Sequence, residues 1–317
     1  GPVEDGMLGI GRVLYYAVPI IMTGLSVGFA FKTGLFNIGT PGQFIIGAFA
    51  AVYVGVKWTF LPGSIHWLVA ILAAFAAGGL WAVIPGVMKA YLNVNEVISS
   101  IMMNYIGMYL VNYSVSLVLF DALRNQSLPV ASTAVIPKMG FDKIFTGSPA
   151  NGGFVIAILF VILIYIILNK TSFGYEMKAC GFNKDASKYA GINEKRNIIL
   201  SMVIAGALAG VGGGLLYLSG SGKFIEVVDV LPAEGFNGIP VALLGLSNPI
   251  GVLFAGLFIA YLNVGGNAMQ QFGFIPQIVD IIISCIIYCS ALSLMIKVWL
   301  SKRRKTKELG TAKKEGE

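Results

Sequence analysis

Charged residues are scarce: they make up 12% of the 317 residues, about half the share found in soluble domains. That excludes a soluble globule of this length, whose helices would need polar outer faces; whole segments here carry none. Metal-ligating chemistry is equally thin. His66 is the only histidine, and the three cysteines, Cys180, Cys285 and Cys289, form no CxxC pair, so a structural zinc site is unsupported. Cys285 and Cys289 lie four apart in the last apolar run, where they act as small hydrophobes. A phosphate-binding GxxxxGK[ST] loop is missing too. Gly222-Lys223 has Tyr217 where the first glycine is required and Phe224 where Ser or Thr should follow. Gly210–Gly214 sits inside an apolar run, which reads as close helix contact. Period-2 alternation is absent, which argues against a β-barrel. No His/Asp/Ser/Cys constellation falls at membrane depth, so the chain carries no catalytic site of its own.

What remains is apolar. Hydrophobic residues reach 56% and the mean hydropathy is +0.81. Nine apolar blocks follow one another: 13–31, 42–56, 67–88, 97–120, 153–168, 198–218, 239–246, 250–264 and 278–300. Five reach the ~19 residues that cross ~30 Å of hydrocarbon at ~1.5 Å per residue. The forty glycines fit helices that approach closely in lipid. The expectation is an all-α, polytopic transmembrane bundle of 317 residues with about eight or nine crossings, some of them short or broken.

Charge placement orients it. With the polar stretch 170–197 and the tail 301–317 both cytoplasmic, sixteen of the 22 basic residues fall inside. Arg12, Lys57, Arg124, Lys138, Lys143 and Lys223 fall outside, as the positive-inside bias requires. Residues 1–12 and the Pro/Gly-punctuated stretch 121–152 are then extracellular. Gly1-Pro2 looks like a protease-cleavage remnant, no signal peptide follows it, and an outside start suggests that one more helix precedes this chain. The basic tail (Lys302, Arg303, Arg304, Lys305, Lys307) reads as a topology anchor against anionic lipid rather than a nucleic-acid patch.

Polar residues interrupt the apolar blocks at a few places. Glu96, Ser100, Asn104 and Gly107 share one helix face, and Asp280 shares a face with Gln277, Ser284 and Tyr288. Carboxylates at membrane depth face a bundle interior or a cavity. Glu96 also reads as an interfacial cap beside Asn93 and Asn95, and Asp280 reads equally as an inter-helix hydrogen bond or a path residue. Phe36-Asn37 and Phe236-Asn237, each with Gly and Pro close by, open short apolar blocks in the two halves. This is the pattern of transporters built from repeats with broken helices.

Three stretches carry a family likeness: Phe36-Asn37-Ile38-Gly39-Thr40-Pro41-Gly42-Gln43, Asn95-Glu96-Val97-Ile98-Ser99-Ser100-Ile101-Met102-Met103-Asn104-Tyr105-Ile106, and Gly235-Phe236-Asn237-Gly238-Ile239-Pro240-Val241-Ala242-Leu243-Leu244-Gly245. In series they resemble the permease subunits of ABC importers of the branched-chain amino acid/ribose type, most of all those for nucleosides such as guanosine. The departures are Thr40-Pro41, where the family more often has Ala-Glu, and Pro240, where it has Ala. The resemblance implies that Phe36, Asn37, Gln43, Asn104, Phe236 and Asn237 line the translocation path, to which the polar residues Glu96 and Asp280 are added as candidates from their place in apolar runs. It also implies that the stretch from Gly174 to Ile192 is the cytoplasmic coupling segment, with Gly181, Asn183, Asp185, Ala186, Tyr189, Ala190 and Gly191 engaging an ATPase. Asp185–Gly191 can form the short amphipathic helix such docking needs.

The implied assembly contains an ABC ATPase subunit, a second identical or homologous permease, and an extracytoplasmic substrate-binding lipoprotein, set in the lipid of the cytoplasmic membrane. ATP and magnesium would sit on the ATPase, and this chain would bind no cofactor. Uptake of ribose or branched-chain amino acids, and a proton- or ion-coupled carrier using Glu96 and Asp280, stay open as alternatives. A membrane enzyme does not fit.

Overall fold

The computed structural model describes residues 2–270 and, beyond them, 273, 275, 277–286, 288, 289 and 292. The chain divides into a first unit, residues 1–264, and a second, 265–317. Its helices are α1 (Pro2–Lys32), α2 (Thr40–Lys57), α3 (Gly63–Leu92), α4 (Glu96–Val118), α5 (Phe141–Ile144), α6 (Gly153–Lys170), α7 (Ser172–Phe182), α8 (Lys184–Tyr189), α9 (Glu194–Tyr217), α10 (Ala233–Phe236), α11 (Gly238–Leu244), α12 (Pro249–Met269) and α13 (Gln277–Ile286). Among the described residues, α1, α3, α4, α6, α9 and α12 are long and apolar enough to cross a membrane, and the chain is a polytopic helical membrane protein.

The nine apolar blocks therefore do not map onto nine full spans. Block 42–56 grows to the 18 residues of α2, whose polar first turn lies within the protein. Block 239–246 becomes α11, only 7 residues long, a rise of about 10 Å that cannot cross ~30 Å of hydrocarbon. Most of block 278–300, and the basic tail, lie outside the described residues.

Local chemistry sets the helix starts. The side chains of Asn95, Thr171, Asn183 and Asn193 each accept a backbone N–H of the first turn of α4, α7, α8 and α9, the role in which these residue types are favoured. Asn93, with φ +50, ends α3 in the left-handed region, which asparagine tolerates best after glycine.

The centre of the first unit is α9, with α1, α2 and α3 around it. Of its most apolar stretch 78% is buried, against 28% for α6, so α9 is enclosed by protein and α6 lies at the periphery. The contacts explain the Gly-rich run. A side chain at Gly47 would strike the backbone of Gly210, one at Gly206 or Gly210 would strike α3 at Gly78 and Ala74, and one at Gly213 would strike the Phe44 carbonyl. Backbones that close gain dispersion contact where lipid offers no hydrophobic drive. Phe29, Phe44, Met202 and Leu208 fill the space alongside.

The stretch 121–152 closes one end. A hairpin pairs β1 (Phe120–Asp121) with β2 (Gln126–Ser127). Ser127 donates to the Ile225 carbonyl (2.8 Å), Ala131 to Gly55 (2.9 Å) and Ile136 to Leu218 (2.9 Å). His66 is fully buried there. Its Nε2 faces the Val54 carbonyl at 3.0 Å and so carries the proton, while Nδ1 meets Thr133 Oγ1 at 2.8 Å. The sole histidine is a structural clamp.

Candidate functional site

After α1 the backbone leaves helical form and runs inside the protein from Thr33 to Gly39 before α2 begins. Such a break exposes backbone polar groups at membrane depth, and each needs a partner. Asn37, fully buried, meets one of them and ties itself to Gln43. Its Nδ2 donates to Gln43 Oε1 (2.8 Å) while Gln43 Nε2 donates back to Asn37 Oδ1 (3.2 Å). Asn37 Oδ1 also accepts the Gly39 N–H at 3.0 Å. The remaining groups are met from α4. Asn104, itself buried, accepts the Gly42 N–H on Oδ1 (2.9 Å) and donates Nδ2 to the Ile38 carbonyl (3.0 Å). It is a helix cap delivered from 62 residues away. One turn earlier, the buried Ser100 hydroxyl has no hydrogen-bond partner among the described residues.

The third motif meets the first. Gly235 lies against Pro41 so closely that a side chain there would strike the proline Cα, and Gly238 does the same against the Thr23 carbonyl on α1. Phe236 is 39% exposed and Asn237 is half-buried with no side-chain partner among the described residues. Phe36, half-buried, stacks on Phe31 with ring centroids 5.1 Å apart.

The structure thus brings Phe36, Asn37, Gln43, Asn104, Phe236 and Asn237 into one region of the first unit. Asn37 and Gln43 bond to each other, and Asn104 bonds to the backbone of Ile38 and Gly42. Glu96, at the start of α4, is paired with Lys89 Nζ at 2.7 Å and meets the backbone of Phe36 in the break, beside the two capping asparagines. Asp280 is exposed in the second unit, and its carbonyl accepts the Ser284 hydroxyl at 2.7 Å.

The predicted coupling segment takes the form of α7 and α8. Asn183 caps α8 through Ala186 N–H (3.0 Å), and Ser187 donates to the Asn183 carbonyl (2.8 Å). Ser187 is the buried side of this short helix. Asp185, Ala186, Tyr189 and Ala190 are exposed, Tyr189 by 94%, and Gly191, φ +78, turns the chain away. The segment is held to α9, where Asn197 Nδ2 donates to the buried Cys180 Sγ at 3.5 Å, and to the break. Gly181 lies directly on the backbone of Thr33 and Gly34, and Gly34 takes φ +76 there, so neither position has room for a side chain. A pocket of about 240 Å³ opens beside this contact, lined by Phe31, Lys32, Phe182, Leu246 and Ser247.

At the hairpin end a pocket of about 430 Å³ is bounded by Tyr15, Tyr16, Ser221, Lys223 and Glu226. Burial works against the charge of Lys223. Glu234, with which it forms an ion pair, and the two tyrosines more than offset this and hold its pKa above the ordinary value.

One group of side chains escaped the reading of the sequence. Tyr105, Tyr109 and Tyr113 stand one turn apart on α4 and are all exposed. Their i, i+4, i+8 spacing within a span was a signal that could have found them.

Buried amides hold a broken helix, and exposed aromatic and amide groups flank it, within a multi-pass helical membrane protein. Residues 9–291 match the branched-chain amino acid transport system / permease component family, and the chain belongs to it. It is 39% identical to the Guanosine ABC transporter permease protein NupP of Bacillus subtilis over 297 residues, covering 93% of this chain and 84% of the relative. With the Nucleoside ABC transporter permease protein NupB of Lactococcus lactis the identity is 36%, over 97% of this chain and 86% of the relative. The Glucose ABC transporter permease protein TsgB13 of Haloferax volcanii is 33% identical over 88% of this chain and 75% of its own length. No solved structure matches the chain.

Proposed function

We propose that this chain is the membrane-spanning permease of an ATP-binding cassette importer that carries nucleosides into the cell. The observation that carries the substrate class is its similarity, along nearly the whole chain, to permeases named for guanosine and nucleosides. In this reading the exposed face of α8 (Ala186, Tyr189, Ala190) seats on a partner ATPase, which binds ATP and magnesium. The α7–α8 end is then cytoplasmic and the hairpin end extracellular. A second permease and an external binding lipoprotein complete the assembly. The sugar-named relative supports a second reading in which the solute is a monosaccharide.

The test is uptake of radiolabelled guanosine, uridine and glucose by cells expressing the whole transporter. Guanosine uptake that stops when the ATPase partner is inactivated supports the proposal. Uptake that survives that change but collapses with a protonophore overturns it in favour of an ion-coupled carrier. Glucose uptake without guanosine uptake replaces the solute and leaves the ATP-driven assembly standing.

A further inference from the structure

Two kinds of exposed surface share α4. Ile106, Leu110 and Leu117 fall along one edge, as a lipid-facing stripe should. Beside them climb Tyr105, Tyr109 and Tyr113, exposed by 52%, 56% and 65%. Tyrosine at the end of a span is ordinary, because the headgroup region accepts its hydroxyl. These three are not confined to an end. Tyr105 and Tyr109 lie either side of Gly107, at the middle of the 23-residue helix. None of the three hydroxyls has a partner among the described residues. A hydroxyl left unpaired in hydrocarbon is penalised, so this stripe belongs in water.

The chain beside it agrees. Asn112 Nδ2 donates to the Val228 carbonyl (2.9 Å) and to Asp229 Oδ1 (3.2 Å), which holds a carboxylate at the upper end of the tyrosine column. From there the backbone runs on to α10, where Gly235 lies against Pro41 while Gly42 lies against Asn104. Exposed Phe236 and half-buried Asn237 therefore arrive close to the level of Tyr105. One wall is a tyrosine column and the other a segment with an acid at the top and an aromatic–amide pair at the bottom.

We infer that Tyr105, Tyr109 and Tyr113 face the aqueous path and form a ladder on which the flat base of the solute stacks as it crosses. The inference rests on the nucleoside reading above. Phenol rings four residues apart, ~6 Å along the helix axis, offer successive faces of similar strength. Several weak sites in series let a solute enter and still leave. Aromatic stacking tolerates different bases because each has a π-face, while the hydroxyls, Asn112 and Asn237 can meet ring edges and ribose.

The test uses the complete transporter with Cys180, Cys285 and Cys289 changed to serine. Single changes Tyr105→Cys, Tyr109→Cys and Tyr113→Cys on α4, and Leu159→Cys on α6 as the lipid control, are exposed to a membrane-impermeant thiosulfonate. Labelling of the three α4 positions but not of Leu159→Cys supports the path; absence of labelling on α4 overturns it. Uptake then tests the ladder. Tyr109→Phe keeps the ring and should hold guanosine uptake efficiency within about twofold, whereas Tyr109→Leu should lower it about tenfold at equal amounts of assembled complex. Guanosine uptake indifferent to Tyr109→Leu, or a loss explained by failed assembly with the second permease, overturns the ladder alone. A wild-type complex that moves glucose but not guanosine overturns the nucleoside reading and the ladder with it.

Discussion

Helices α4 and α6 are both apolar, both long enough to span, and only 33% and 28% buried over their apolar stretch, yet their exposed faces have different chemistry. On α6, ahead of the exposed Asn169 and Lys170 at its end, the exposed residues are Val155, Leu159, Ile162, Leu163 and Ile166, none of which can hydrogen-bond. On α4 they include three tyrosines, with Asn112 and Ser116 alongside. Exposure in a membrane protein thus has two meanings. The α6 face is finished by lipid, while the α4 face needs water, solute or protein. The buried faces differ as well: α4 lends Asn104 to the broken start of α2, whereas α6 leads straight into α7 and, through Gly181, touches the other end of the same break.

The largest effect should come from placing a charge on each exposed face. Arginine at the centre of a lipid-facing helix costs about 2.5–3.5 kcal/mol on insertion scales. Leu163→Arg on α6 should therefore lose most membrane-integrated protein, while Tyr109→Arg on α4 should accumulate normally. Equal losses, measured by carbonate-resistant membrane fractions, would erase the distinction between the two faces.

Next comes the cap that α4 lends. Asn104→Leu leaves the Gly42 N–H and the Ile38 carbonyl unpaired at depth, a cost of about 2–4 kcal/mol. It should depress the thermal midpoint of the purified protein well below that of Ser100→Ala, which removes a hydroxyl that already lacks a partner. Similar midpoints for the two variants would mean that water or a partner takes over the role of Asn104.

The link between the helices is tested by Gly181→Val, which forces α7 away from Thr33 and Gly34. The transporter should still hydrolyse ATP but move several times less solute per ATP, because the disturbance reaches the break held by Asn37 and Asn104. An unchanged ratio of transport to hydrolysis would show that force enters the span elsewhere.

The smallest effect belongs to Lys223–Glu234, on the segment leading to the wall opposite the tyrosines. The pair is partly exposed, and Glu234→Gln should cost under about 1 kcal/mol. Because the folded pKa of Lys223 is raised above its ordinary 10.5, its contribution is complete below that value and fades only as pH climbs through the folded pKa. Stability measured from pH 6 to 9 should thus show no slope from this pair, and a slope in that window would contradict the assignment.

Much of the molecule could be read in advance, and the residues show where reading stopped. The blocks around Ala17, Ala74, Val111, Val161 and Ala209 announced helices by length and apolarity, since only a helix satisfies its own backbone in lipid. The helix starts at Asn95, Thr171, Asn183 and Asn193 became visible only in the structure, although these residue types favour that role. The broken-helix motifs were recognisable as a set, but nothing in them said that Asn104 would cap Gly42 or that Gly235 would meet Pro41. Those are meetings between residues far apart in the chain, decided by how helices cross. The resemblance assigned Asn37 and Gln43 to the path; that their amides would pair with each other while Asn37 also accepts the Gly39 N–H was visible only in the structure.

The sequence alone determined that this is a helical membrane protein, because scarce charge and long apolar runs leave no other way to satisfy the backbone in lipid. Only the tertiary structure decided which side of each span meets lipid. A soluble helix reveals its inner face by contrast with its polar one, but a membrane helix is apolar all round, so its rotation is set by neighbours. The tyrosines of α4 and the leucines of α6 acquired their opposite meanings only when the first unit closed around α9.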